Sequence, residues 1–439
     1  MRKLLAATTA GALALAGGSS ALAARPGQIA ELGLGVSAKV YVFGLAAGSD
    51  GNVWFADLGC SSIGRCALGK ITRNGRIRLF ARGLNPGSVP FQVALGRDGD
   101  IWFTDQGTRP AIGRVNPQGR ITEFSRGLRH GSQPFAITMG PGHDMWFTDQ
   151  GARPAVGRVT AYGQITEFSR GLGPRSVPFG IAAGRGGRLW FTDHGCSGSG
   201  RCALGTVSIR GAIHERTAGL RSGSQPLGIA AGFAGQLWFA DASGALGQVS
   251  AAGRISEHRL LPGSSPVALG AGPDGAMWFT DEGSAPAIGR VLANGSIHEF
   301  RAGLAGGSEP AQIVAAPDGD MWFTDEGGTA AIGRVSTGAS PALSSAPAET
   351  GSPRVGATLR CLAARWTPWA GLVPSLHLLG FDGYGWLRDG VPVPGQRGPG
   401  YRLTAADRGG RIACRVTATY PAPLDTTAVA VSPTVTAGG

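Results

Sequence analysis

Six cysteines and seven histidines are the side chains of this chain best equipped for chemistry. The cysteines group by position: Cys60 with Cys66, Cys196 with Cys202 in a near-identical segment, and Cys361 with Cys414. In an exported chain such cysteines pair, and three local disulfides are the simplest arrangement. A four-thiolate metal site is the rival, because Cys-x5-Cys occurs twice. The two segments fall three repeats apart, which separates them. No H-E-x-x-H, G-x-S-x-G, phosphate loop or calcium loop is present. Asn294-Gly295-Ser296 is a formal glycosylation sequon and reads as a turn.

The elements that must position these residues come from a repeat. Trp-Phe occurs seven times, beginning at Trp54, Trp102, Trp146, Trp190, Trp238, Trp278 and Trp322, with spacings of 48, 44, 44, 48, 40 and 44 residues. A period in this range with short strands and Gly-rich turns points to a propeller or solenoid. Both Cys-x5-Cys segments lie in the long intervals, so each is a loop insertion. Within one unit, residues 135–139, 145–149, 155–159 and 165–168 read as four short strands bounded by Gly, Pro or Asp. The first is almost wholly apolar, as a strand beside a crowded axis must be. The last reads Ile165-Thr166-Glu167-Phe168, as a half-exposed outer strand does. The seventh unit lacks its outer strand, and Gln28-Ile29-Ala30-Glu31-Leu32 supplies one ahead of the first unit. The expectation is an all-β, seven-bladed ring closed by its N-terminal strand, which leaves no open sheet edge.

Residues present in every blade read as structure. The Trp-Phe pairs pack neighbouring sheets. Asp57, Asp105, Asp149, Asp193, Asp241, Asp281 and Asp325 should accept turn amides. Arg114, Arg158, Arg290 and Arg334 suit repeat-wide ion pairs. His214, His258 and His298 fall on outer strands and His130 and His143 in turns, whereas His194 follows Asp193 on a loop of the candidate functional face.

Residues 1–23 read as a signal peptide, from basic Arg2-Lys3 through an apolar core to Ala21-Leu22-Ala23. No segment is long and apolar enough to anchor the chain, so a secreted, monomeric protein is expected. Its 75 glycines and 28 prolines recur at fixed places and are turn residues. The net charge of +12 is almost all Arg, scattered without runs or aromatic interleaving. That pattern argues against nucleic acid and leaves an acidic envelope polymer as a partner.

The propeller should span 27–336, followed by a Ser/Ala/Pro-rich linker at 337–350. In 351–439, Cys361, Trp386 and Cys414 follow the Cys-Trp-Cys order of an immunoglobulin-like sandwich, although Ile412 stands where a tyrosine corner would place Tyr. Attachment or spacing is the role expected of it.

The unit Pro-x-x-Ile, Gly-x-Asp-Gly-x-x-Trp-Phe-Thr-Asp, Ile-Gly-Arg-Val, Gly-x-Ile-Thr-Glu-Phe resembles the streptogramin lyase (virginiamycin B lyase) family over about residues 27–336. The resemblance implies Mg2+-dependent carbon–oxygen elimination opening a cyclic depsipeptide. Such a reaction needs a base for the proton and a cation for the developing enolate. It also implies a histidine after the proline that opens blades six and seven, where this chain has Val267 and Ala311. A family tyrosine falls at Phe43. Glu309 and Glu326 match the family acids and would hold Mg2+ through water, and Glu282 stands one blade before Glu326 at the same place.

Three functions follow as expectations. With both histidines replaced, the leading one is a secreted binding or scaffold protein. Its rim would be lined by Phe91, Phe135, Phe179, Gln106 and Gln150, taking a small molecule, peptide or glycan. The second is a lyase with Glu309 and Glu326 as metal ligands, and the third a cell-envelope structural protein.

Overall fold

A computed structural model describes residues 26–33, 41–58, 66–71, 76–197, 201–232, 235–316, 319–327, 331–338, 342–345, 347–362, 365–367, 380–419 and 427–438. The expected signal peptide lies outside the described residues. Seven four-stranded antiparallel sheets succeed one another along the chain, and each inner strand packs against the inner strands of its neighbours. This is a seven-bladed β-propeller.

Blade three shows how the sequence builds a blade, with strands Pro134–Met139, Met145–Asp149, Ala155–Val159 and Ile165–Phe168. On one face Trp146, fully buried, stacks on Phe168 at 5.8 Å, and Arg158 lies 5.9 Å over the indole while reaching Asp144 at 3.8 Å. The corresponding Arg114, Arg290 and Arg334 pair with Asp98, Asp274 and Asp320, so the repeat-wide ion pairs are present. On the other face Phe147 lies against Gly157, where a Cβ would sit 2.0 Å from the ring, so only glycine fits. Truncating one of these buried tryptophans costs roughly 3–5 kcal/mol.

The Thr-Asp pair after each Trp-Phe has two jobs. The inner strand is bulged just after its first residue. In blade three the Thr148 hydroxyl accepts from Ala136 N inside that bulge at 3.0 Å and donates to Phe179 O of the next blade at 2.7 Å. The same bond runs from Thr324 to Phe43 O across the closure at 3.2 Å. Ala56 and Ala240 cannot make it. Asp149 accepts from Gln133 N at 2.8 Å and Gly151 N at 2.7 Å, so the expectation of turn amides holds.

The closure is as expected. Ile29–Gly33 pairs antiparallel with Ala331–Val335, from Ile29 opposite Val335 to Gly33 opposite Ala331. Glu31 then stands where the outer-strand glutamate of other blades stands, accepting from Ala305 N at 3.1 Å. The N-terminal strand thus brings the chemistry of its missing counterpart as well as its hydrogen bonds.

Beyond the ring lies a second β-rich unit. Residues 337–350, expected as a linker, contribute two strands: Ala342–Ser345 pairs with Arg365–Thr367, and Ala348–Thr350 with Thr358–Leu362. They pair through the backbone, which a Ser/Ala/Pro composition does not register. The larger sheet is built on Gly380–Arg388, Arg411–Thr419 and Thr427–Val431. The Cys361–Cys414 disulfide links the two sheets and packs on Trp386, which is 1% exposed. Closing a loop with a sequence separation of 53 stabilises this small unit by roughly 2–5 kcal/mol. Burial alone would raise the Asp407 carboxyl, but hydrogen bonds from Thr404, Tyr401 and Arg388 hold it below the usual range. No helix among the described residues is long and apolar enough to cross a membrane.

Candidate functional site

In a ring of near-identical blades, a site shows as a departure from the repeat. The first residue of every inner strand faces the repeat aspartate: Val42 opposite Asp57, Pro90 opposite Asp105, and so on to Pro310 opposite Asp325. Three positions tied to this register surround the mouth of the axial channel.

The position just inside the inner strand is Phe43, Phe91, Phe135 and Phe179 in blades one to four, then Leu227, Val267 and Ala311. The phenylalanines form a continuous row of ring contacts, stacked for Phe43–Phe91 with centroids 4.3 Å apart and tilted for Phe91–Phe135 at 4.7 Å and Phe135–Phe179 at 4.5 Å. Behind them lies a cavity of about 150 Å3, lined in part by Phe135, Phe179, Ile229, Leu269, Gln92 and Gln312. Val267 and Ala311 are 8% and 4% exposed, so the positions that the resemblance assigns to histidines hold packed apolar side chains.

The position after the aspartate is Gln106 and Gln150 in blades two and three. Each amide donates to the proline carbonyl opening the next blade, Pro134 and Pro178, at 3.1 Å. The same position is His194 in blade four, with its ring 6.3 Å from Phe179. In blades six and seven it is Glu282 and Glu326, where a carboxylate cannot donate. Backbone bonds hold both acids in place, Glu282 N to Ser265 O at 3.1 Å and Glu326 N to Glu309 O at 3.0 Å. The last bond sets Glu309 and Glu326 side by side.

The structure therefore brings Glu282, Glu309 and Glu326 into one electrostatic group. Burial, then Glu309 and Asp281, push the Glu282 carboxyl up. Burial pushes Glu326 to about 7, with Glu282, Glu309 and Asp325 adding to the rise and Tyr41 opposing it. The Tyr41 hydroxyl donates directly to Glu326, and burial with this carboxylate keeps the phenol protonated. The tyrosine at the acidic group is thus Tyr41, and Phe43, the position the resemblance had suggested, belongs to the aromatic stack. Blade one opens with Val42 in place of the proline of blades two to seven. Counting back from Asp57 along the repeat register is the signal that finds Tyr41.

Other expectations resolve simply. His130, His143, His214, His258 and His298 are exposed and away from the mouth elements. His194 sits in the aromatic half, three blades from Glu326. Asn294 closes a turn by accepting from Ser296 N at 2.9 Å. Cys66 and Cys202 are disulfide-bonded, and their expected partners Cys60 and Cys196 lie outside the described side chains. Among the described residues no group of three or more His, Cys, Asp and Glu is arranged to hold a metal ion. Tyr41 engages one carboxylate oxygen of Glu326, and the other is buried with no hydrogen-bond partner among the described residues.

The fold and its split mouth define a seven-bladed propeller with an apolar aromatic half facing an acidic half. The chain belongs to the virginiamycin B lyase family, whose model matches residues 27–261 and 204–367. No curated protein matches the chain. Among solved structures it is similar to YCF48 bound to a D1 peptide, at 14% identity over 72% of this chain and 97% of that one, TM-score 0.52. It is also similar to the extracellular domain of a protein described as a hybrid two component system from B. thetaiotaomicron, at 12% identity over 93% of this chain and 58% of that one, TM-score 0.54. A gluconolactonase from Xanthomonas campestris matches at 19% identity over 60% of this chain and 90% of that one, TM-score 0.42. At these identities the likeness is one of fold.

Proposed function

We propose that this is an exported ligand-binding propeller whose mouth takes a small molecule or peptide with a flat apolar body and a cationic end. The observation that carries the proposal is the division of the mouth: four contiguous phenylalanines on one side, Glu282, Glu309 and Glu326 on the other. An apolar ring gains by leaving water against the phenylalanines, and a cation relieves repulsion among the carboxylates. The C-terminal unit, read as an immunoglobulin-like sandwich, would hold or space the propeller. Its disulfide beside Trp386 supports that reading.

Tryptamine, indole and indole-3-propionate share a ring and differ in charge, so calorimetry with the three tests the proposal. Tryptamine should bind tightest, weaken with salt, and lose most of its advantage in Glu309→Gln. Equal affinity for all three, or none, would overturn it.

A second reading rests on the family match: a carbon–oxygen lyase opening a cyclic depsipeptide, with Glu309 and Glu326 holding Mg2+ through water. Val267 and Ala311 offer no group for the proton transfer it requires. Mass spectrometry of a cyclic depsipeptide incubated with protein and Mg2+ separates the two. A ring-opened product of unchanged mass establishes the lyase, and untouched substrate leaves the binding protein.

A further inference from the structure

The C-terminal unit carries a groove of about 420 Å3 between the strand Gly380–Arg388 and the arm that follows it, far larger than the axial cavity. Pro392, Val393 and Pro394 form an apolar wall, with Gln396, Arg397 and Arg415 beside them. No described acidic side chain lines it. Arg415 stands opposite Gly385 in the sheet, and a Cβ on that glycine would lie 3.5 Å from the Arg415 Nε. The missing side chain at 385 leaves the guanidinium lying close over the strand.

The arginines of this unit differ in what they meet. Arg388 is bound to Asp407, Arg411 is 3.9 Å from Asp389, and Arg402 donates to Gly356 O at 3.1 Å. Arg415 Nε is buried and has no hydrogen-bond partner among the described residues. A buried guanidinium N–H left unmatched costs free energy that an anionic acceptor would recover. Two arginines on one apolar-walled groove suit an oxyanion, which guanidinium binds in a fork through two of its oxygens.

We propose that this groove binds an oxyanion, carboxylate or phosphate, borne on a saccharide-sized unit of an acidic envelope polymer. The volume is that of a small-ligand site, and the proline wall gives the unit's apolar face a surface. The site is separate from the propeller mouth and does not depend on what that mouth binds.

Calorimetry of the full chain against polygalacturonate, poly(glycerol phosphate) and neutral dextran tests the proposal. Binding to polygalacturonate alone assigns carboxylate, binding to poly(glycerol phosphate) alone assigns phosphate, and binding to both assigns a general oxyanion site; dextran should not bind. Arg397 is exposed, so Arg397→Gln leaves the fold intact and should weaken binding about tenfold or more, the loss of a charge-assisted bond. Arg415→Gln should do the same. Arg408→Gln, an exposed arginine outside the groove, should change affinity less than about twofold. If neither acidic polymer binds, or if Arg408→Gln costs as much as Arg397→Gln, the groove is not the site.

Discussion

At Glu326 two influences oppose each other. Burial and the neighbouring acids raise its carboxyl to about 7, and the hydrogen bond from Tyr41 lowers it. Tyr41→Phe should therefore raise the Glu326 value further, a shift that carboxyl NMR titration would follow. An unchanged titration would mean that the phenol does not touch the acid in solution. At the single-residue scale Glu309 and Glu326 were legible in the sequence, because each sits beside a landmark of the repeat, a proline or an aspartate. Tyr41 was missed in favour of Phe43, because its blade lacks the opening proline that marks the position elsewhere and only the spacing back from Asp57 reveals it.

Within a blade, the outer-strand glutamate and the repeat aspartate form a recurrent carboxyl pair that pins the incoming crossover loop. In blade three Glu167 accepts from Arg129 N and Ser132 Oγ, and in blade five Ser224 Oγ bridges Asp241 and Glu257 at 2.6 and 2.8 Å. Burial first, then the paired aspartate, raises Glu31, Glu123, Glu167 and Glu215 from 4.5 to about 7. Two carboxyls in contact cannot both ionise cheaply, so the pair keeps a proton. Because the folded values lie above the unfolded ones, this stabilisation is full below about pH 4.5 and is lost as pH rises through about 7. The melting temperature should fall across that window, and Glu123→Gln should flatten the fall, as calorimetry at several pH values would measure. A fall of unchanged steepness in the variant would rule out the pair as its source. The sequence showed the aspartate recurring in every blade and the glutamate in all but blade one, where Leu79 stands, but not that they meet, since they are about eighteen positions apart and only the sheet's fold-back joins them.

Across the whole molecule, the ring is held by strand exchange. Removing residues 26–33 would expose the edge of Ala331–Val335 and strip blade seven of the Glu31 contact to Ala305. An exposed edge pairs with other chains, so this deletion should lower the unfolding midpoint in denaturant and produce concentration-dependent association in analytical ultracentrifugation. A monomer with an unchanged midpoint would show that the closing strand is dispensable. The sequence by itself determined the blade count, strand order and closure, because each is written as a period, and a period survives in one dimension. It also determined that the family histidine positions hold Val267 and Ala311. Only the tertiary structure decided what the departures from that period add up to. Phenylalanines from four blades became one row of ring contacts, and acids from blades six and seven met a tyrosine from blade one, because curvature brings together at the axis residues that the chain keeps more than forty positions apart.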